Sequence, residues 1–82
     1  MRRRETIAER DWMDIFGDNL KDALIEANMT QHELAEAANL SDAAVSSYIH
    51  KQKMPSVRAA VNISRSLDWD LTDMLDYGAN ID

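Results

Sequence analysis

The stretch TQHELAEAANLSDAAVSSYI, Thr30 to Ile49, carries two helix-start signals, Thr30 and Ser41, with only Asn39 and Leu40 interrupting the apolar pattern between them. Thr30 suits an N-cap because its hydroxyl oxygen accepts from the unpaired N–H groups of a first turn, and Glu33 completes a capping box. A helix from Gln31 is expected, with Leu34, Ala35 and Ala38 as its apolar stripe. Asn39 tolerates the left-handed conformation that ends a short helix. Ser41 then caps the next one, with Leu40 tucked inward. Val45, Tyr48 and Ile49 form the inward side of that helix, which leaves Asp42, Ala43, Ser46, Ser47 and His50 outward.

Two short helices with a small residue at their contact, Ala35, and a corner of only Asn39 to Ser41 must cross steeply, since no chain is left to run antiparallel. Such a corner pushes the second helix out of the globule, where its exposed side fits a major groove about 12 Å wide. The segment 31–50 is therefore expected to be a helix-turn-helix.

The rest of the chain supplies a frame. Leu20, Ala23, Leu24 and Ala27 recur at helical spacing and predict a helix from about Ile15 to Asn28, with Gly17 followed by Asp18 as a plausible break and fresh start. Ile7, Ala8, Trp12 and Ile15 could continue a stripe upstream, and the first dozen residues are left open. Pro55 stops a helix and Ser56 caps a fourth, in which Val57, Ala60, Val61, Ser64 and Leu67 repeat. Asp70 and Asp73 bracket the start of a short fifth helix, DLTDML, whose Leu71, Met74 and Leu75 face the core. The expected organisation is a basic arm or extra helical turn at 1–14, a helix-turn-helix domain at 15–77 and a short tail at 78–82.

At 82 residues, 45% hydrophobic and 29% charged, the chain suits one small all-α domain. It has no cysteine, hence no disulfide frame or thiolate site, and a cytoplasmic address is the default expectation. No run approaches the roughly 18 apolar residues of a membrane span. The formal net charge is −6, which opposes indiscriminate nucleic-acid binding. Its distribution is uneven, however. Residues 30–58 balance three Lys/Arg against three Asp/Glu, residues 59–82 hold one against five, and Arg2, Arg3 and Arg4 stand together at the start.

The same features resemble the Cro-like phage repressor family, also called XRE, over about Phe16 to Leu75: FGDNLKDALIEANMTQHELA, then NLSDAAVSSYI, then KQKMPS, then LDWDLTDML. The resemblance implies a five-helix lambda-repressor-like DNA-binding domain that represses or switches transcription by occupying double-stranded operator DNA as a homodimer, needing no cofactor or metal. It places the base-reading positions on Asp42, Ala43, Ser46 and Ser47. It also places phosphate contacts on Gln31 and on His50, Lys51, Gln52 and Lys53; Ser41, first of all a cap, joins them. The family often has glycine at the corner and after the reading helix, where this chain has Asn39 and Lys51.

The chemistry of the reading face is modest. Asp42 suits cytosine N4, Ala43 a thymine methyl, and Ser46 and Ser47 either kind of base edge, whereas Arg, Gln and Asn, the bidentate readers of purines, are missing. Lys51, Lys53, Arg58 and the arm Arg2, Arg3 and Arg4 are the expected suppliers of the salt-dependent term. The arm suits equally a solvated tail or a partner for Glu5, Glu9 and Asp11. For dimerisation the Trp12 segment and the Trp69 to Tyr77 end are candidates. The weak reading face and the negative charge keep open a rival: an antitoxin-like or antirepressor-like module that turns the same fold to a protein partner.

Other patterns carry less. His32 and His50 lie on different helices with no carboxylate at ligand spacing, which argues against a metal site. DWDLT has the spacing of a phosphatase nucleophile loop but lacks the preceding strand and large sheet such a loop requires, and no triad is placed by spacing. An enzyme is not expected.

Overall fold

A computed structural model describes residues 9–75 of the chain, with side chains from Asp11 onward. Five helices follow in order: α1 at Glu9–Ala27, α2 at Gln31–Ala38, α3 at Asp42–Ile49, α4 at Val57–Leu67 and α5 at Leu71–Met74. Among the described residues there is no strand. The arm Arg2 to Arg4, with Ile7 and Ala8, and the tail beyond Leu75 lie outside the described residues.

The caps act as their side chains predict. Thr30 Oγ1 accepts the Glu33 N–H at 3.0 Å while Glu33 Oε1 accepts the Thr30 N–H at 2.9 Å, the reciprocal pair of a capping box. Ser41 Oγ accepts from Ala44 N at 3.0 Å, and Ser56 Oγ from Ala59 N at 3.1 Å. At the other ends, Asn28, Asn39 and Asp68 take left-handed backbone angles and close α1, α2 and α4. Asp68 and Asp70 of the DWDLT segment thus flank the junction of α4 and α5. Asp68 is the C-cap of α4, and Asp70 holds the N-cap position of α5 without a side-chain cap bond.

One core unites the elements. Phe16, Leu20, Leu34, Val45, Ile63 and Met74 are its largest fully buried side chains, with Ala23, Ala35, Ala38, Ala59 and Ala60 allowing close approach of the helices that carry them. Helix α2 packs on α4 and α3, and α1 on α3, α5 and α4. Asn19 fastens α1 to α5 by donating from Nδ2 to the Met74 carbonyl at 2.7 Å.

Several expectations are corrected. Helix α1 is already formed at Glu9, the first described residue, rather than starting near Ile15, and it runs through Gly17 without a break. Glycine is required there for proximity: a Cβ on Gly17 would lie 2.9 Å from the Tyr48 carbonyl oxygen, 2.9 Å from Lys51 Cγ and 3.4 Å from the Ile49 carbonyl oxygen. The end of α3 rests directly on the α1 backbone. Ala27, expected in the apolar stripe, is exposed at the last turn of α1, while half-buried Met29 packs against the core just beyond it. Val57 is 77% exposed, on the opposite side of the first turn of α4 from Ala59, which with Ala60 and Ile63 makes up the buried residues of that helix nearest its start. Leu71 and Leu75, half-buried, do pack against the core as expected, with Met74 the fully buried anchor of α5.

Glycine inside a helix ordinarily costs about 1 kcal/mol relative to alanine. At Gly17 the sign should reverse. Gly17→Ala is expected to lower stability by about 1–3 kcal/mol, the range for overpacking against atoms that cannot move aside, and urea unfolding of the two proteins measures it. A more stable variant would show that α1 and α3 are not in close contact.

Candidate nucleic-acid interface

The corner between α2 and α3 is built by backbone geometry. Asn39, at φ 59 and ψ 48, turns the chain out of α2, and the Leu40 N–H donates back to the Ala35 carbonyl at 2.8 Å. Ser41 caps α3 at once, so the two helices share almost no connecting chain. On the inner side of α3, Val45 is fully buried and Tyr48 nearly so, and the Tyr48 ring meets Phe16 edge to face with centroids 6.3 Å apart. Ala44 and Ile49 are half-buried beside them.

The opposite side of α3 carries the residues expected to read bases. Asp42 and Ala43 are exposed, whereas Ser46 and Ser47 are half-buried. The hydroxyls are not idle: Ser47 Oγ donates to the Ala44 carbonyl at 2.8 Å, which leaves its lone pairs as acceptors. His50 turns Nδ1 back to within 2.8 Å of the Ser46 carbonyl oxygen and 3.2 Å of Ser46 Oγ. Ser41 uses an oxygen lone pair for its cap, which leaves its O–H available as a donor.

Of the other expected contacts, Gln31 is exposed at the first position of α2, and with Ile49, Leu24, Ile25 and Met29 it lines a shallow, largely apolar depression. Gln52 and Lys53 are exposed, as is Arg58. Among the described residues neither Lys53 nor Arg58 is paired with a carboxylate.

Lys51 is arranged differently from its neighbours. Its backbone is left-handed, φ 61, and it closes α3: the Lys51 N–H donates to the Tyr48 carbonyl at 3.1 Å and the Gln52 N–H to the Ser47 carbonyl at 2.8 Å. Its ammonium turns away from α3 to α1, where Nζ lies 2.8 Å from Asp18 Oδ1 and 4.0 Å from Asp14 Oδ1. The hydrogen bond to Asp18 holds the Lys51 pKa above its ordinary value, so it stays charged. Any phosphate contact by Lys51 competes with this ion pair.

A second pair was missed by sequence reasoning. His32, from the first turn of α2, reaches Asp42, in the first turn of α3, with Nδ1 at 3.0 Å from both carboxylate oxygens, and its Nε2 lies 3.7 Å from Glu36. Ligand spacing along one helix does not see a carboxylate that the corner brings alongside from the next. The recoverable signal was two N-terminal turns flanking a tight corner. The hydrogen bond and charge of Asp42 raise the His32 pKa above its ordinary 6.5, with Glu36 and Glu33 adding to the effect. Among the described residues no group of three or more His, Asp or Glu is placed to hold a metal ion, and no helix is long and apolar enough to cross a membrane.

Comparison with known proteins agrees with this arrangement. The family profile described as Helix-turn-helix matches residues 20–73. No curated protein matches the chain in sequence. Among solved structures, the fold is similar to the hypothetical transcription factor NHTF from Neisseria, with TM-score 0.80, 18% identity, and 96% of this chain and 91% of that chain covered. It is also similar to the restriction-modification controller protein C.AhdI from Aeromonas hydrophila, with TM-score 0.73, 19% identity and coverage of 76% and 94%. A third is the clp gene regulator ClgR from Corynebacterium glutamicum, with TM-score 0.74, 22% identity and coverage of 87% and 72%.

The His32 pair has a measurable signature. Because its folded pKa is raised, the stabilisation from the Asp42 contact is fully present below the unfolded value of about 6.5 and disappears as pH rises through the folded pKa. An NMR titration of the His32 ring should therefore give a midpoint above 6.5, and Asp42→Asn should move it back down. An unchanged midpoint in the variant would refute the contact.

Proposed function

The chain belongs to the helix-turn-helix family, DNA-binding transcriptional regulators rather than enzymes, and from that premise we propose that it acts as a sequence-specific repressor of the Cro-like phage or prophage type, occupying an operator. The observation that supports the reading most is the two-sidedness of α3: Val45 and Tyr48 are locked into the core while Asp42, Ala43, Ser46 and Ser47 lie on the other side. An eight-residue helix held in this way can lay its N-terminal half in a major groove without unfolding anything.

In this reading Asp42 accepts from cytosine N4, Ala43 contacts a thymine methyl, and Ser46 and Ser47 bond base edges. Gln31, Ser41, His50, Gln52 and Lys53 hold the phosphates, joined by Arg58 and by the arm Arg2, Arg3 and Arg4, and Lys51 joins when it releases Asp18. One reading helix with so few bidentate groups gives weak selectivity. A two-fold dimer overcomes this by placing two copies of α3 in successive major grooves about 34 Å apart. The structural relatives named as a transcription factor, a controller protein and a gene regulator accord with a regulatory role.

A protein-interaction role of the antitoxin or antirepressor kind is the second reading. It is favoured by the exposed carboxylates Asp11, Asp14, Asp18, Asp22 and Glu26, which follow one another at helical spacing along α1. That ridge repels a phosphate backbone and suits a basic partner.

A mobility-shift assay with duplexes from the gene's own upstream region, at two salt concentrations, separates the two. The repressor reading expects specific, salt-sensitive retention, abolished in Ser46→Glu/Ser47→Glu without a change in urea midpoint; no retention at low salt contradicts it. Removing residues 1–5 should weaken binding and flatten the salt dependence by about 0.9 logarithmic units for each phosphate that the arm would otherwise neutralise. An unchanged slope would exclude the arm from the interface. Sedimentation should show two chains on a duplex carrying both half-sites, and one chain per duplex would contradict the dimer.

A further inference from the structure

The Asp42 carboxylate is the only charged group among the four base-reading positions, and it does not stand alone. It is held by an imidazole from the neighbouring helix at 3.0 Å to both oxygens, although both side chains are 65% exposed. An ion pair that exposed adds little to stability, since water screens it and two side chains must be immobilised. What the contact does determine is the direction of the Asp42 carboxylate and the group that faces it.

A free Asp42 at the first position of α3 would have several rotamers and a full negative charge. That charge would sit in the groove between two phosphate backbones. With His32 against it, one edge of the carboxylate is occupied by the imidazole. A carboxylate has about four lone-pair sites, so those not used by His32 remain for a base N–H. When His32 is protonated the pair is neutral, and the repulsion from phosphate is removed.

Resting on the repressor reading above, we propose that His32 is a specificity-determining positioning residue: it fixes the Asp42 carboxylate for a cytosine or adenine amino group and, as imidazolium, cancels its charge so that α3 enters the groove. His32 need not touch DNA to do this. The groups facing it are Asp42 from α3 and Glu36 and Glu33 from its own helix, all of which favour the proton. Glu33 is held in the capping box with Thr30, and Glu36 lies farther off at 3.7 Å, so Asp42 is the partner with the closest contact. Phosphates brought near on binding add to the same side. DNA binding and proton uptake at His32 are therefore linked, and affinity falls as pH rises through the His32 titration.

The experiment uses the full chain and a duplex selected by the wild-type protein at about pH 6 from a library randomised over about 20 base pairs, long enough for two half-sites. Affinity is measured from about pH 6 to about pH 8, across the range where a histidine changes charge. A His50→Gln variant measured in parallel shows how much of the pH dependence belongs to the second imidazole. Wild type should lose about tenfold in affinity over that range, with a preference for cytosine or adenine at one position per half-site. His32→Gln, which keeps a donor but no titratable proton, should keep the base preference and lose the pH dependence. His32→Lys, with a fixed charge, should bind independently of pH near the wild-type low-pH affinity. His32→Ala should lose both pH dependence and base preference, and Asp42→Ala likewise. Retention that is equally strong, equally pH-dependent and equally selective in His32→Ala overturns the role of His32 while leaving the repressor reading intact. No retention of any duplex by wild type overturns both.

Discussion

Helix α3 is eight residues long, shorter than the roughly 12–15 residues at which an isolated helix becomes even marginal in water, so its shape is imposed from below. Val45 and Tyr48 are sealed in the core, Tyr48 leans on Phe16, and the last turn lies on the α1 backbone where only Gly17 leaves room. Ser41 fixes the start and the left-handed Lys51 the end. With one side and both ends held, the other side is presented in a single orientation. The placement of Gln31, Ser41, Asp42 and Ser46 relative to one another follows from that.

The same packing organises the charges. Lys51 bridges from the end of α3 to Asp18 and Asp14 on α1, and His32 bridges from α2 to Asp42 at the start of α3. Two ionic groups expected to face DNA, Lys51 and Asp42, thus each have a partner on a neighbouring helix. An acidic protein arranged in this way has few uncommitted cations near its reading helix, chiefly Lys53 and Arg58 among the described residues. Under the repressor reading, the described residues then contribute little to non-specific affinity, since that term comes from unpaired cations meeting phosphate. Under the same reading, discrimination between sequences rests on short side chains and on the position of one carboxylate.

Much of this was legible in the sequence because it is local. The caps Thr30, Ser41 and Ser56 and the left-handed Asn39 are decided within a few residues, and the order of five helices followed from them. Periodicity said which side of each helix was apolar but not where its partner ended, so Ala27 and Val57 were expected inside and lie outside. Gly17 suggested a break when read alone, whereas its reason is a neighbour about thirty residues further along the chain. The Lys51 and His32 pairs were hidden for the same cause, as each joins side chains on different helices.

The proposed repressor function depends on α3 offering its outer side to a duplex. Amide chemical-shift changes on adding a selected duplex test this most directly. They should concentrate at Gln31, Asp42, Ala43, Ser46 and Ser47 and leave the buried faces of α4 and α5 little affected. Changes gathered instead along Asp11 to Glu26 of α1, with α3 unmoved, would contradict it.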